Sequence, residues 1–275
     1  MTSLLHDLFG VSKPIIAMVH LRALPGRPQH DRAAGLQPII DSAARDVQAL
    51  QEAGVDGLLF CNEADLPYQL TVDHAAVAAM AAVIAELKRE ISLPFGVNLV
   101  WDPTASLAVA RATGASFIRE VFTGVYESDL GLMRPDFGAI GAYRADIGAQ
   151  SVALFANITP EFASSVGHRT LEQRARSAVY LGVDALLVSG AITGEPTDLK
   201  QLCQVKAAVP GTAVLANTGV TAETVGEVLD RADGAIVGTA LKTGGVTWNP
   251  VDPARAAQFM TAARRARQSA AGIGR

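Results

Sequence analysis

The sequence is poor in the residues that mark several common classes of protein. Only two of its 275 residues are cysteines, Cys61 and Cys203, and they form no CxxC pair. Neither a disulfide framework nor a zinc site is therefore indicated. Aromatic residues make up only 5% of the chain, the net charge is −4, and no basic run is interleaved with aromatic residues. This composition argues against nucleic acid as a partner.

Long hydrophobic runs are missing as well. The longest uncharged apolar stretch covers 75–85, whereas a helix that crosses a bilayer needs about 20 apolar residues. The first residues lack the basic start and apolar core of a signal peptide. We therefore expect no transmembrane segment and a cytoplasmic location, with which the sparse use of cysteine agrees.

Four widespread catalytic motifs are absent from the chain. It has no GxGxxG after the first predicted strand, no GxxxxGK[ST], no GxSxG and no HExxH. These absences argue against a dinucleotide-binding fold, a P-loop enzyme, an α/β-hydrolase and a zincin.

What the chain has in quantity is aliphatic residues, in short runs that alternate with Ala-rich segments. The runs predicted as strands are 14–19, 57–60, 95–100, 117–122, 151–156, 185–190, 213–218 and 234–239. The segments predicted as helices are 37–53, 72–90, 103–113, 135–147, 170–181, 197–208, 221–231 and 253–268. Eight strand–helix repeats predict the α/β class, as a (β/α)8 TIM barrel. A doubly wound sheet is the alternative, although it rarely contains eight such even units.

The predicted barrel occupies the chain as one domain, 1–275, with an N-terminal extension at 1–12 and a frayed tail at 269–275. Several turn signals agree with the helix boundaries. Asp102-Pro103 places an N-cap residue before a proline at the first helical position, and Thr170 with Gln173 forms a capping box.

Polar side chains follow the predicted strands, at the barrel face where active sites of this fold lie. The catalytic candidates are His20, Glu63, Glu120 and Asn157, and the substrate-binding candidates are Asn98 and Arg119. Carboxylates such as Glu63 and Glu120 can shuttle a proton or hold a divalent cation, Mg²⁺ or Mn²⁺.

Other interpretations of these side chains stay open. Glu120 is equally compatible with a buried ion pair, and only one of Arg119 and Glu120 can face the barrel interior because neighbouring strand residues point to opposite sides. His20 fits an acid/base role or a structural hydrogen bond to the loop after strand two. Cys61 is interpreted as a small core residue, since no neighbouring cation is evident that would lower its pKa.

Glycines after the last strands predict a phosphate site. Gly219 follows strand seven, and Gly238 with Thr239 follows strand eight. Their backbone amides can approach an anion, and barrels commonly bind phosphate between these two loops. Ser189, Gly190 and Asn217 complete the predicted donors. The alternative is that the glycines only make tight turns. Lys242 is compatible with either a phosphate partner or a solvated lysine.

Six segments together resemble one known family. They are AMVHLRALPGRP, GVDGLLFCNEADLPY, LPFGVNLVWDP, FIREVFTGVYESD, DALLVSGAITG and DGAIVGTALKTGG. In this order they resemble the BtpA/SgcQ-like family from about Lys13 to the final helix, and NLVWDP with REVFTGVYESD is closer to the SgcQ branch.

The resemblance implies a barrel of the ribulose-phosphate-binding superfamily. The SgcQ branch is associated with sugar uptake and sugar phosphates, and the BtpA branch with photosystem I biogenesis at a membrane. Many BtpA-like chains carry a His/Lys stretch of the form DVHVKH after strand five, but this chain has FANITPEF at 155–162. A base or Schiff-base role of that stretch therefore does not transfer, and Asn157 stands there instead.

Two functions follow from these observations. The first is an enzyme of carbohydrate metabolism, an isomerase, epimerase or lyase, that transfers protons on a phosphorylated sugar or sugar acid. The second is a non-catalytic assembly factor that keeps the anion site. In both cases a small phosphorylated metabolite is the expected partner, and the Ala-rich helices are compatible with a homo-oligomer.

Overall fold

The computed structural model describes the backbone of residues 4–273 and the side chains of residues 4–269. Its strands, in chain order, are β1 (Ile15–His20), β2 (Gly57–Cys61), β3 (Phe95–Asn98), β4 (Phe117–Glu120), β5 (Tyr126–Ser128), β6 (Gly131–Met133), β7 (Ala153–Asn157), β8 (Ala163–Ser165), β9 (Ala185–Val188), β10 (Ala213–Ala216) and β11 (Ala235–Val237). Its α-helices are α1 (Leu4–Phe9), α2 (Gln37–Ala53), α3 (His74–Leu87), α4 (Pro103–Thr113), α5 (Phe137–Asp146), α6 (Leu171–Tyr180), α7 (Leu199–Ala208), α8 (Val225–Arg231) and α9 (Pro253–Ile273).

Eight of these strands close a parallel barrel, which confirms the predicted TIM-barrel fold. Around the barrel they follow the order β1-β2-β3-β4-β7-β9-β10-β11, and β11 pairs with β1 through Ile15 and Ala235. Five of the eight predicted runs extend two residues past their strands, because residues such as Val121 and Phe122 belong to the loops at the carboxyl ends.

The remaining strands form a small antiparallel sheet, which the apolar runs did not predict. Its order is β6-β5-β8, and Gly131, with φ 105°, makes the hairpin between β5 and β6. Tyr126 and Met133 pack from this sheet against Val121 and Trp101. The sheet therefore covers part of the barrel face that carries the carboxyl ends of the strands.

Alternation along the strands separates two cores. Ile15, Ala17 and Val19 pack in the layer between barrel and helices, whereas Ile16 and Met18 point into the barrel. The residues that continue the inward set at the carboxyl ends are polar rather than apolar. The floor of the barrel is thus filled by hydrophobic side chains, and its mouth is left for polar ones.

The predicted N-terminal extension forms part of this floor, apart from residues 1–3, which lie outside the described residues. Leu5 and Phe9 of α1 belong to the core inside the barrel, and the Phe9 ring centroid lies 5.6 Å from that of Phe117. Gly57 permits this approach, because a Cβ there would lie 2.6 Å from Phe9 Cε1. The segment before β1 therefore closes the barrel.

The predicted caps are present, and the C-terminal helix is longer than expected. Asp102 Oδ1 accepts from the Ala105 amide at 2.9 Å, and Thr170 and Gln173 form the capping box. The part of the predicted frayed tail that is described continues α9 to Ile273, and residues 274–275 lie outside the described part. Within residues 4–273, no helix combines the length and apolar character needed to span a bilayer.

Candidate active site

Arg119 occupies the centre of the barrel mouth. It stands two residues after the inward-facing Phe117, so it points the same way. Its Nη2 donates to Glu161 Oε1 at 2.7 Å, its Nη1 to Asn98 Oδ1 at 3.0 Å and its Nε to Asn217 Oδ1 at 3.1 Å. Burial alone would lower the pKa of Arg119, but the surrounding carboxylates, Glu161 first, raise it. A permanent positive charge is therefore fixed in one orientation at the mouth.

Glu161 is the partner of this arginine and was not among the predicted residues. Its carboxylate also accepts from Asn157 Nδ2 at 2.8 Å and from Asn217 Nδ2 at 3.1 Å. It lies in the irregular loop after β7, where hydrophobic periodicity gives no signal. The one sequence cue is that it follows Asn157, a strand-end residue, by four positions.

Asn157, predicted as catalytic, has its polar atoms engaged in this network. Its Nδ2 donates to Glu161, and its Oδ1 accepts from the Thr159 amide at 3.1 Å and from Ser189 Oγ at 3.2 Å. The geometry therefore favours a role in positioning Glu161 over direct contact with a substrate.

Glu63 differs from Glu161 in having few partners. It lies just beyond β2 and is 7% exposed. The Cys61 thiol lies 3.5 Å from its Oε2, and the Tyr68 hydroxyl, which donates to the Glu63 carbonyl at 3.0 Å, also interacts with the carboxyl group. Burial raises the pKa of Glu63, and the charge of Arg119 partly opposes this. Burial also raises the pKa of Cys61, so the thiol stays protonated, as expected of a core residue. The Glu63 carboxyl group is thus buried and has a raised pKa, and its two partners, Cys61 and Tyr68, are both uncharged donors.

Glu120 points away from Arg119, as strand alternation predicted. Its Oε1 accepts from Ser106 Oγ of α4 at 2.6 Å and from Asn98 Nδ2 at 2.7 Å. Burial raises the pKa of Glu120 to about 8. Asn98, predicted to bind substrate, connects these two residues: its Nδ2 donates to Glu120, and its Oδ1 accepts from Arg119. The arrangement favours Glu120 as a positioning residue that acts through Asn98.

Replacing Glu120 by Gln should change how stability depends on pH. The pKa of about 8 exceeds the ordinary 4.5, so between these values the folded state binds more protons than the unfolded state and stability falls as pH rises. We expect this fall, a few kcal/mol in size, to be much smaller in Glu120→Gln, whose amide oxygen can still accept both hydrogen bonds. Urea unfolding across this pH range measures it, and equal slopes in both proteins would contradict it.

His20 lines the mouth as a neutral imidazole. Its Nδ1 lies 3.3 Å from the carbonyl of Thr247, so the hydrogen bond runs to the loop after β11 rather than to the loop after β2. Burial, reinforced by the charge of Lys242, lowers the pKa of His20 to about 3. With Nδ1 donating, Nε2 carries a lone pair. Gly238 makes room for this ring, since a Cβ there would lie 3.0 Å from His20 Cε1.

The loops after β10 and β11 border a cavity of about 270 Å³ that also contains His20, Glu63, Arg119 and Glu161. Gly219, Val220, Thr239 and Ala240 line it. Within residues 4–273, the amides of these four residues have no hydrogen-bond acceptor. Two pairs of consecutive, unpaired N–H groups are the arrangement that binds a phosphate oxygen.

Arg255 of α9 adds a positive charge to this part of the cavity, although sequence analysis did not identify it. Its Nε donates to the carbonyl of Ala240 at 3.1 Å. It was missed because it lies within a regular helical segment rather than after a strand. Gly219 itself has φ 64°, and a Cβ there would overlap the backbone of Glu195 and Pro196. This glycine therefore serves the turn and leaves its amide open to a ligand.

Three residues considered for the phosphate site lie elsewhere. The Gly190 amide donates to Thr218 Oγ1 at 2.6 Å, and the Ser189 amide to Thr159 Oγ1 at 2.7 Å, so neither is free for an anion. Lys242 is only 1% exposed, and its Nζ lies 2.7 Å from Asp46 Oδ2. It is thus neither a phosphate partner nor a solvated lysine.

The structure brings together no evident ligand set for Mg²⁺ or Mn²⁺. Among the described residues, no cluster of three or more His, Cys, Asp and Glu side chains could hold a metal ion. Of the two candidate ligands, Glu63 lines the cavity, whereas the Glu120 carboxylate is hydrogen-bonded by Ser106 of α4 and by Asn98.

A smaller adjoining cavity of about 40 Å³ extends the site towards aromatic side chains. Tyr68, Trp101 and Phe162 line it, and it shares Glu63 and Arg119 with the larger cavity. Trp101 has φ 69° and Phe162 has φ 57°, in the left-handed region that non-glycine residues rarely adopt and that concentrates at functional sites. The site therefore has an end lined by unpaired backbone amides, a charged centre and an aromatic end.

Comparisons with known proteins identify a family and a shared fold. The model of the BtpA family matches residues 11–265. The chain is 48% identical to the putative sgc region protein SgcQ of Escherichia coli K12, covering 94% of this chain and 97% of that protein. It is 31% identical to the photosystem I biogenesis protein BtpA of Synechocystis, covering 94% and 90%. Thiamine phosphate pyrophosphorylase from Pyrococcus furiosus superposes with a TM-score of 0.57 at 18% identity, covering 93% and 98%, which shows a shared fold.

Proposed function

Because the chain belongs to the BtpA family, we propose that it is an enzyme of carbohydrate metabolism that acts on a phosphorylated sugar or sugar acid. The observation that carries this proposal is one cavity in which four unpaired backbone amides lie beside a buried carboxyl group of raised pKa, Glu63. The first feature suits a phosphate group, and the second suits proton transfer.

The phosphate group would bind between the loops after β10 and β11. The amides of Gly219, Val220, Thr239 and Ala240 would donate to its oxygens, and Arg255 would neutralise part of its charge. Binding by backbone amides fixes one end of the ligand without a flexible side chain, so the rest of the molecule is directed towards the charged centre.

Glu63 is the group best placed to remove or return a proton at a carbon next to a carbonyl. Its raised pKa brings it closer to neutral pH, where a general base is most effective. Arg119 stabilises the negative charge that develops on the carbonyl oxygen, because its own charge is held in place by Glu161. Isomerisation and epimerisation begin with removal of this proton. Carbon–carbon cleavage of a β-hydroxy carbonyl compound instead removes the hydroxyl proton, breaks the Cα–Cβ bond to form the same enolate, and ends when a proton is returned to the α-carbon. Among the described residues, no lysine lines either cavity, which disfavours a Schiff base.

Binding of phosphorylated compounds tests the proposal. We expect at least one sugar phosphate to raise the melting temperature of the wild-type protein. Arg255→Gln should weaken this binding about tenfold, since it removes one charged hydrogen-bond donor. Arg265→Gln is the matched control, because Arg265 lies on the same helix but is exposed and outside the cavity lining. Equal affinities for both variants would place the phosphate elsewhere.

A non-catalytic role in assembly is the second candidate, favoured by the 31% identity to the Synechocystis biogenesis protein. In that case the anion site would serve stability or regulation. This role would be favoured over the enzyme if no phosphorylated compound changes the melting temperature and a Glu63→Gln variant functions normally in cells.

A further inference from the structure

A separate cavity of about 410 Å³ lies between the loop after β4, β8 and α6. It shares no lining residue with the two cavities of the candidate active site. The polar side chains in its lining are Thr123, Tyr126, Ser165, Arg169, Arg174 and Ser177, and none of the described lining residues is acidic. Two arginines therefore share one cavity without a carboxylate.

Arg174 leaves one edge of its guanidinium group unpaired. Its Nη1 donates to the carbonyl of Ile158 at 2.8 Å and lies 3.5 Å from Tyr126 Oη, and its Cζ lies 5.9 Å from the Tyr126 ring centroid. Its Nε is buried and has no acceptor. Its Nη2 has no hydrogen bond or ion pair with any side chain of residues 4–269 or backbone atom of residues 4–273.

The unpaired edge of Arg174 indicates the kind of ligand that would bind there. Nε and Nη2 are the two donors with which arginine binds a carboxylate or phosphate in a bidentate manner. A buried N–H group without an acceptor is unfavourable, so its persistence calls for a partner. Tyr126 and Ile158 contact the guanidinium group through Nη1, which holds the unpaired edge in a defined orientation.

Arg169 supplies a second charge from the segment before α6. Its Nη1 donates to Ser177 Oγ at 3.3 Å, and no carboxylate of the described residues lies within ion-pair distance. Space is available nearby, since a Cβ at Gly167 would meet no atom within 4 Å. Two guanidinium groups in one cavity repel each other unless an anion is bound between them.

We propose that this cavity is a second anion site, which binds the phosphate group of a small molecule independently of the active site. A dianion matches two arginines and the adjacent hydroxyl groups of Ser165 and Ser177. Val125 and Leu181, 41% and 49% exposed, also line the cavity, so the remainder of the ligand contacts apolar surface. Because Tyr126 belongs to β5, occupancy would brace the small sheet that covers part of the barrel face.

Equilibrium dialysis with radiolabelled inorganic phosphate tests the proposal on the intact chain. Arg169→Gln and Arg174→Gln should each weaken one class of phosphate site by about tenfold or more. Arg174→Lys keeps the charge beside Tyr126 but removes the bidentate edge, so it should weaken the same class. Arg176→Gln is the matched control, because Arg176 lies on the same helix, is exposed and does not line the cavity.

The outcomes separate this site from the proposed active site. Two independent sites are supported if Arg169→Gln loses phosphate binding at one site while Arg255→Gln still weakens phosphate binding at the other. Wild-type stoichiometry and affinity in both Arg169→Gln and Arg174→Gln would overturn the second site, whatever Arg255→Gln does. Arg169 is exposed, so its variant decides the matter if Arg174→Gln fails to fold. Competition by glycerol phosphate that exceeds competition by inorganic phosphate would identify a phosphate ester as the ligand.

Discussion

Glu63→Gln should slow proton transfer by about 10²–10⁴-fold while leaving phosphate binding intact. The amide has nearly the shape of the carboxyl group but cannot accept a proton, and Glu63 is not one of the groups proposed to bind the phosphate. Incorporation of solvent deuterium into a sugar phosphate that binds, followed by NMR, measures the step directly and requires no knowledge of the final product.

Two observations would accompany this result. The exchange rate of the wild-type protein should rise with pH and level off above the raised pKa of Glu63, because only the ionised carboxylate acts as a base. Glu127→Gln, a change of the same chemistry at an exposed residue of β5, should exchange at the wild-type rate. A Glu63→Gln variant that exchanges as fast as wild type would remove Glu63 from the chemistry.

Lys242→Met should lower the free energy of unfolding by about 3–5 kcal/mol. Lys242 and Asp46 are 1% and 5% exposed at their side chains, and Asp46 also accepts from the Val251 amide at 2.8 Å. Without the lysine, a buried carboxylate loses its only counter-charge within the described residues. The pair joins α2 to the segment before α9, so the loss is expected in global unfolding, measured as the midpoint in urea.

The pair of Lys206 and Asp233 provides the control for this prediction. Its side chains are 37% and 30% exposed, so Lys206→Met should cost only about 0–1 kcal/mol. The double change of Asp46 to Leu and Lys242 to Met should recover part of the loss, because it removes both buried charges. A Lys242→Met protein as stable as the Lys206→Met protein would show that the buried pair adds no more than an exposed one.

Sequence alone could predict the barrel because each strand is a short apolar run bounded by turn residues. The prediction that Arg119 and Glu120 point to opposite sides of their strand also held, since it depends only on the geometry of a strand. The predicted anion site at Gly219 and Thr239 remains a prediction, although both residues line the same cavity.

The parts that sequence analysis missed depend on contacts between distant segments. Glu161 and Arg255 come from a loop and from a helix, where no local pattern marks a side chain that points into the mouth. Lys242 was misinterpreted because its partner, Asp46, lies 196 residues away. Gly190 looked like a phosphate-binding glycine, yet its amide is bound by Thr218. Tertiary contacts of this kind decide which polar groups remain free.

The position of α1 at the barrel floor has a practical consequence for attaching other molecules. Arg267, late in α9, donates to the carbonyl of Lys13 at 3.0 Å, so both ends of the described chain reach the side of the barrel opposite the mouth. A fluorescent or affinity label joined beyond α9 would therefore stay clear of the candidate active site. A label that pulls α1 away would instead expose the rings of Phe117 and Phe155 to water and loosen the barrel from below.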